Sequence, residues 1–369
     1  MTVRVTGRVV TPAGVIRQGC VEINNEQITA VAEYPSGRDG HWILPGFVDI
    51  HNHGGGGHTF TTGDADEARA AAGFHLRHGT TTLLASLVSS PFELMRAATI
   101  AYRPLVAEGV LAGIHFEGPY LSVARCGAQN PAYLRDPSTE ELTELLELGH
   151  GTIRMITLAP ERAGATAAVK LLTAHGVVAA VGHTDATYEQ TQAAIAAGAS
   201  VATHLFNAMR PVHHREPGPV IALLEAPSVV CELIADGVHL HDGVLAFATA
   251  TAGAERTALI TDAMAAAGQP DGEYELGGQT VTVTTGVARL AGDGAVAGST
   301  LTMDAALRHA VATGVAIPEA ARMMATTPAR AIGLGDRVGA LQAGLRADLV
   351  VLDDDLNVVR VMRAGTWLD

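Results

Sequence analysis

The chain has 369 residues, 48% of them hydrophobic and 17% charged, which suits a large packed core and excludes a disordered polymer. Its net charge of −14 offers no basic field to a nucleic-acid backbone or an anionic membrane, though a few local donors suffice for a small anionic substrate. Cys20, Cys126 and Cys231 are too few and too scattered for a disulfide framework. The N-terminus alternates like a strand where a signal peptide would be apolar, and no apolar run is long enough to span a bilayer. A cytoplasmic protein with no membrane or nucleic-acid partner is expected.

Residues 1–45 alternate with a period of two (Val3, Val5, Val9; Val21, Ile23; Ile28, Ala30) between Gly, Pro and Asn-Asn punctuation, as a small β region does. Short apolar runs then alternate with amphipathic or alanine-rich stretches. Strands are expected at 46–50, 81–86, 111–116, 153–158, 177–181, 201–204, 229–234 and 258–260. Helices are expected between them, at 65–78, 91–108, 139–148, 165–175 and 187–197. Eight strands, each followed by helix-like sequence, over roughly 250 residues predict an α/β fold of the (β/α)8 TIM-like barrel class. Residues 272–290 alternate again and predict a β-hairpin inserted after the eighth strand. A helix follows from Leu301, with Ser299 or Thr300 as its N-cap. From Gly339 onward the period-two rhythm returns, so 1–45 and 339–369 are expected to meet in a small β-sandwich beside a barrel at 46–338.

Functional side chains of such a barrel gather where strands end. Here the first strand ends in His51-Asn52-His53, the third in Glu117, the fifth in His183, the sixth in His204 and the eighth in Asp262. Each alone has a bland reading. With sixteen histidines a chance His-x-His is unsurprising, and His239-Leu240-His241 is another. Glu117 alone would be a capping or salt-bridged carboxylate, His183 and His204 hydrogen-bonded loop histidines, and Asp262 a turn former. Their convergence on one rim is the signal. Imidazole and carboxylate suit a borderline divalent cation such as zinc, and the set is large enough for two metals or for one with groups to spare. Asp262, last in barrel order and outside the histidine cluster, is expected to shuttle the proton between water and a leaving amine. The run Gly54–Gly57 lacks the context of a phosphate loop and is expected to be a flexible turn passing close to the metal.

These residues carry a resemblance. His51-Asn-His53, His115-Phe-Glu117-Gly-Pro, Gly182-His183-Thr, His204-Leu-Phe-Asn207-Ala-Met, Arg215-Glu-Pro-Gly218, Asp236-Gly-Val-His239 and Thr261-Asp262-Ala are similar to motifs of the N-acetylglucosamine-6-phosphate deacetylases, a branch of the amidohydrolase superfamily. The resemblance implies hydrolysis of the acetamide of a phosphorylated amino sugar. It implies that Glu117, His183 and His204 hold the principal metal and that Asp262 is the general base and acid. A second metal at His51 and His53 is implied by those members that keep the His-x-His. Asn207, the backbone at Ala208, Arg215 and His239 would hold the sugar phosphate, with Arg215 and His239 reaching across a homodimer interface. Where some members place a substrate-contacting histidine, this chain reads Gly127-Ala128-Gln129-Asn130, so Ala128 and Gln129 line the substrate and Gln129 offers only a neutral donor.

Two other readings compete. A cyclic-amide hydrolase of the same superfamily often uses a modified lysine as bridging ligand, but this chain has very few lysines and Lys170 falls in a helical pattern. A catalytically dead scaffold barrel would have lost a ligand or Asp262, and none is missing.

Overall fold

The computed structural model describes residues 2–34 and 40–368, so part of the expected N-terminal β region lies outside the described residues. Eight parallel strands form one sheet in sequential order: Phe47–Asp49, Thr80–Leu87, Gly113–Glu117, Ile153–Leu158, Val178–Val181, Val201–Ala202, Val230–Ile234 and Thr257–Ile260. They fall where the apolar runs place them. Thr80–Leu87 is buried at every position, as expected of strands covered on both faces, and so reads as a continuous run.

The sheet curls until its first and last strands meet. At the meeting point Asp262 N–H donates to the His51 carbonyl (2.9 Å) and His53 N–H to the Ala263 carbonyl (2.7 Å). Asp49 reinforces the seam, its carboxylate accepting from Thr261 N–H (3.2 Å) and Thr261 Oγ1 (2.6 Å). The π-helical segment Arg322–Thr326 packs against both strands, and the barrel is complete.

Local signals set the helix boundaries. Asp64 caps Ala65–Arg77 by accepting from two backbone amides, and Thr187 and Gln190 close a reciprocal capping box at the start of Tyr188–Ala197. Apolar faces such as Ala68, Ala71 and Ala72, or Leu142 and Leu145, turn inward and join Ile114, Ile156 and Leu233 in the main core. The expected cap of the later helix needs correcting. That helix is Met303–Ala312 with Thr302 at its N-cap, while Ser299 Oγ donates to the Thr261 carbonyl and accepts from Leu301 N–H. Ser299 therefore belongs to the eighth-strand seam rather than to the helix.

The terminal segments meet in one seven-stranded sheet, ordered Thr366–Trp367, Val358–Arg363, Leu349–Leu352, Trp42–Pro45, Thr2–Thr11, Gly14–Asn24, Gln27–Glu33. Only the pairing of Thr2–Thr11 with Trp42–Pro45 is parallel. Its own small core holds Val9, Val21, Ile28, Ile43, Leu349 and Met362. The insert after the eighth strand has three strands rather than two: Gly272–Leu276, Gln279–Thr284 and Val287–Leu290.

The glycine run after the first strand also departs from expectation. Gly54 and Gly55 pair with His58 and Thr59 in a short ladder, both buried. A Cβ on Gly55 would lie 2.5 Å from His75 Nε2 and 2.6 Å from Phe74, so the run is glycine because the first helix presses against it.

Candidate active site

At the carboxyl end of the barrel lies a cleft of about 210 Å3 whose floor holds His53, Glu117, His183, His204 and Asp262. Three of these floor residues leave their strands through the left-handed region: His183 at φ 46°, His204 at φ 27° and Asp262 at φ 48°. Non-glycine residues rarely adopt that conformation, and here it ends the strand while turning the side chain inward.

The imidazole Nε2 atoms and carboxylate oxygens converge. Glu117 Oε1 is 2.8 Å from His204 Nε2 and 3.0 Å from His183 Nε2, and its other oxygen is 3.2 Å from His53 Nε2. His51 and His53 meet Nε2 to Nε2 at 3.1 Å, and Asp262 Oδ1 lies 3.4 Å and 3.2 Å from them. Two trios result, His51–His53–Asp262 and Glu117–His183–His204, each with donor atoms within 4.8 Å of one another. One expectation is corrected: Asp262 stands inside the histidine cluster, because the seam between the first and eighth strands places the two strand ends side by side.

The opposite ring nitrogens are anchored. His51 Nδ1 meets Glu232 Oε2 at 3.1 Å, His53 Nδ1 the Ser86 carbonyl at 3.0 Å, and His183 Nδ1 the Arg125 carbonyl at 3.0 Å. Bonding at Nδ1 fixes the tautomer that leaves the Nε2 lone pair free, as metal-ligating histidines require. His204 differs, for its Nδ1 is buried without a partner among the described residues.

Electrostatics agree. Burial opposes charge on His51, His53, Glu117 and Asp262, yet the opposite charges outweigh it. Asp262, Glu117 and Glu232 hold His51 well above its ordinary value, and Asp262 and Glu117 raise His53 to about 9. The histidines in turn bring Asp262 down to about 2 and Glu117 well below the usual carboxylate range. The cluster thus draws positive charge onto its nitrogens, and a divalent cation satisfies the same demand. Donor types, spacing and anchored tautomers all fit one or two such ions.

Glu232 was missed from the sequence. It is fully buried in the seventh strand, and Oε2 also accepts from His204 N–H (3.1 Å), while Oε1 has no partner among the described residues. A glutamate inside Val230-Cys-Glu-Leu-Ile234 was the available signal, since a carboxylate in an apolar strand needs a reason.

Above the floor, the wall carries Gly127, Ala128, Gln129, Asn207, Ala208 and His239 from this chain, with Leu276 and Val296 from and beside the insert. Gln129 engages both ends of its amide within the protein. Nε2 donates to Glu117 Oε2 and Oε1 accepts from Ser89 N–H, each at 2.6 Å. Gln279 of the insert donates to the Ala128 carbonyl (2.6 Å), tying two walls together. Asn207 Nδ2 donates to the His204 carbonyl (3.2 Å), within its own turn.

His239 is held by Asp236, which accepts from His239 Nδ1 at 2.7 Å and from the backbone amides of Val238 and His239. Burial works against its charge, but Asp236 and Asp262 outweigh that and raise its pKa. The expectation that His239 reaches the site from another subunit is corrected, because it lines the cleft of its own chain. Arg215 is brought to neither floor nor wall. It is exposed, with Nη1 2.8 Å from His214 Nε2, and among the described residues no Lys or Arg lines the cleft.

With this geometry established, comparison with known proteins places the chain. The amidohydrolase family matches residues 42–368. The chain belongs to the amidohydrolase family. It is 40% identical over 333 residues to an N-acetylglucosamine-6-phosphate deacetylase of Lysinibacillus sphaericus, covering 88% of this chain and 85% of that one. An N-acetylgalactosamine-6-phosphate deacetylase of Escherichia coli O157:H7 is 37% identical over 366 residues, 97% of each. Among solved structures, a variant of N-acetyl-D-glucosamine-6-phosphate deacetylase from Mycobacterium smegmatis, in complex with N-acetyl-D-glucosamine-6-phosphate, is 48% identical with a TM-score of 0.96, covering 99% of both chains. Lys170 lies exposed on the helix Ala165–Ala174, away from the histidine–carboxylate cluster, so no lysine bridge is available there.

Proposed function

We propose that this amidohydrolase removes the acetyl group of N-acetylglucosamine 6-phosphate, giving glucosamine 6-phosphate and acetate. The observation that carries the reading is the histidine–carboxylate cluster on the floor of a cleft walled by Asn207, Ala208 and His239, in a chain so close to deacetylases of that class. Zinc is the proposed ion, one or two per subunit, because imidazole and carboxylate ligands suit it. Glu117, His183 and His204 hold the principal ion and His51 and His53 the second. A bound divalent metal lowers the pKa of water and so supplies hydroxide near neutral pH.

The chain's own residues do the rest. Asp262, kept ionised by His51 and His53, takes the water proton as the oxygen adds to the acetyl carbon. It returns that proton to the amide nitrogen as the carbon–nitrogen bond breaks, so the amine leaves neutral. Gln129 steadies the Glu117 carboxylate, and Asn207 with the Ala208 backbone orients the sugar. His239, its charge favoured by Asp236, faces the phosphate. One imidazolium is a modest counter-ion for a phosphate, and Arg215 of the partner subunit in a homodimer completes the pocket, its forked guanidinium suiting a bidentate contact. We also place the enzyme in the cytoplasm, in keeping with Cys20, Cys126 and Cys231 all being free.

Acetate release from N-acetylglucosamine 6-phosphate, its galactosamine isomer and unphosphorylated N-acetylglucosamine, with zinc-loaded enzyme, tests the reading. A strong preference for the phosphorylated glucosamine supports it. Preference for the galactosamine isomer moves the substrate within the same class, and no release from any of the three removes the assignment.

A further inference from the structure

At the opposite end of the barrel, a cavity of about 80 Å3 is framed by Arg154, Arg337, Arg346 and Arg363. This gathering stands out in a chain with 24 Lys+Arg against 38 Asp+Glu. Arg154 is the second residue of the fourth barrel strand, and Ala112, just before the third strand, also lines the cavity. Glu117 ends that third strand, so the cavity lies roughly 13 Å or more from the catalytic floor, at about 3.3 Å per strand residue. Arg346 and Arg363 come from the C-terminal segment and Arg337 from the turn before it.

Counter-charge is scarce there. Asp348 pairs with Arg346 through Nε at 2.9 Å and through Nη2. Among the described residues Arg363 donates to the carbonyls of Gly109 and Val110 alone. Among the described residues neither Arg154 nor Arg337 forms an ion pair, and Arg154 Nε is buried without any hydrogen-bond partner. Burial and the neighbouring Arg346 push the Arg363 guanidinium below its ordinary value, against the pull of Asp348. Arg154 and Arg363 are part-buried without an ion-pair partner among the described residues, which is costly, and an anion beside them removes the cost.

We propose that this cavity is a second ligand site, distinct from the catalytic cleft, which binds a tetrahedral oxyanion of the phosphate type, either the free ion or the phosphate end of a small ester. The volume compares with roughly 10–15 Å3 for one water on the same measure, so it admits a group of several oxygens but not a sugar. Arginines from both the barrel base and the C-terminal segment line it, and a guanidinium fork is suited to recognising phosphate bidentately. A bound anion ties those two parts together and so stabilises the fold. The assignment does not rest on the deacetylase reading.

The test is thermal melting of metal-loaded enzyme titrated with sodium phosphate or glycerol phosphate, against sodium chloride at matched ionic strength. Wild-type protein should rise by roughly 3–8 °C, saturably, well above the dissociation constant. The R154Q/R337Q variant should lose that rise while its deacetylase kcat/KM stays within about twofold, since neither residue is near the cleft. Any anion held in the cleft contributes equally to both proteins and cancels. A rise with phosphate identifies the free ion as sufficient, and a rise with glycerol phosphate alone assigns the site to esters. An equal rise in the variant, or none in either protein, overturns the proposal. If the double variant fails to fold, R337Q alone changes an exposed residue and should need more phosphate for the same rise. An unchanged titration there also overturns it.

Discussion

Asp262 and Glu232 show how much work single carboxylates do at the two sides of the histidine cluster. Asp262 lines the cleft with its carboxylate 3.2 Å from His53 and 3.4 Å from His51. Replacing it by Asn keeps the shape and removes the base, so kcat should fall about a hundred- to ten-thousandfold while Glu117, His183 and His204 retain their ion. Turnover near wild type alongside normal metal content would exclude Asp262 from proton transfer. Glu232 acts from behind, accepting from His51 Nδ1 and His204 N–H. Glu232→Gln leaves the packing and weakens the anchor, and metal affinity should drop about 10–100-fold in a chelator competition. Of these two, only Asp262 was legible in the sequence, because strand ends announce themselves through the turn that follows. Glu232 sits mid-strand, where inward orientation depends on the pleat and on which wall of the barrel faces it.

Among the elements, the strands of the barrel were readable as short apolar runs, and helices such as Ala65–Arg77 and Tyr188–Ala197 by their caps. The walls were not. The insert reads as alternating residues whatever it packs on, and nothing in its sequence tells that Gln279 reaches the Ala128 carbonyl or that Leu276 lines the cleft. The turn Asp236–His239 is similar, since placing its histidine requires knowing how the seventh strand hands over to the helix Asp242–Ala252. That turn carries a pH dependence. Asp236 raises the His239 pKa, so the imidazole is cationic below that raised value and loses its charge as pH rises through it. KM for the phosphorylated sugar should therefore climb on the alkaline side. Asp236→Asn removes the largest opposing influence to burial, and the climb should move to lower pH. Steady-state kinetics from pH 6 to 9 on both proteins checks this, and superimposable KM profiles would free His239 from any part in phosphate binding.

For the whole molecule, the closed barrel class followed from counting strands, but the contacts that close it did not. Sequence gives eight strands in a row. The meeting of the first and last depends on Asp49, Thr261 and two backbone bonds among residues that look unremarkable alone. That seam aligns His51 and His53 with Asp262, and thereby gathers ligands from strands more than two hundred residues apart. Such a cluster has a thermodynamic consequence. An ion held there would bind the folded chain, whereas the unfolded chain scatters the same groups, so metal binding would be linked directly to folding. Removing the metal with a chelator should lower the melting temperature by roughly 5–15 °C, and stoichiometric zinc should restore it. Disrupting one trio separates the contributions of the two. His51→Ala, which leaves Glu117, His183 and His204 untouched, should retain most of the zinc-dependent rise if that trio holds the principal ion. If instead the rise vanishes with His51, the His51–His53–Asp262 trio is the one that couples metal to stability.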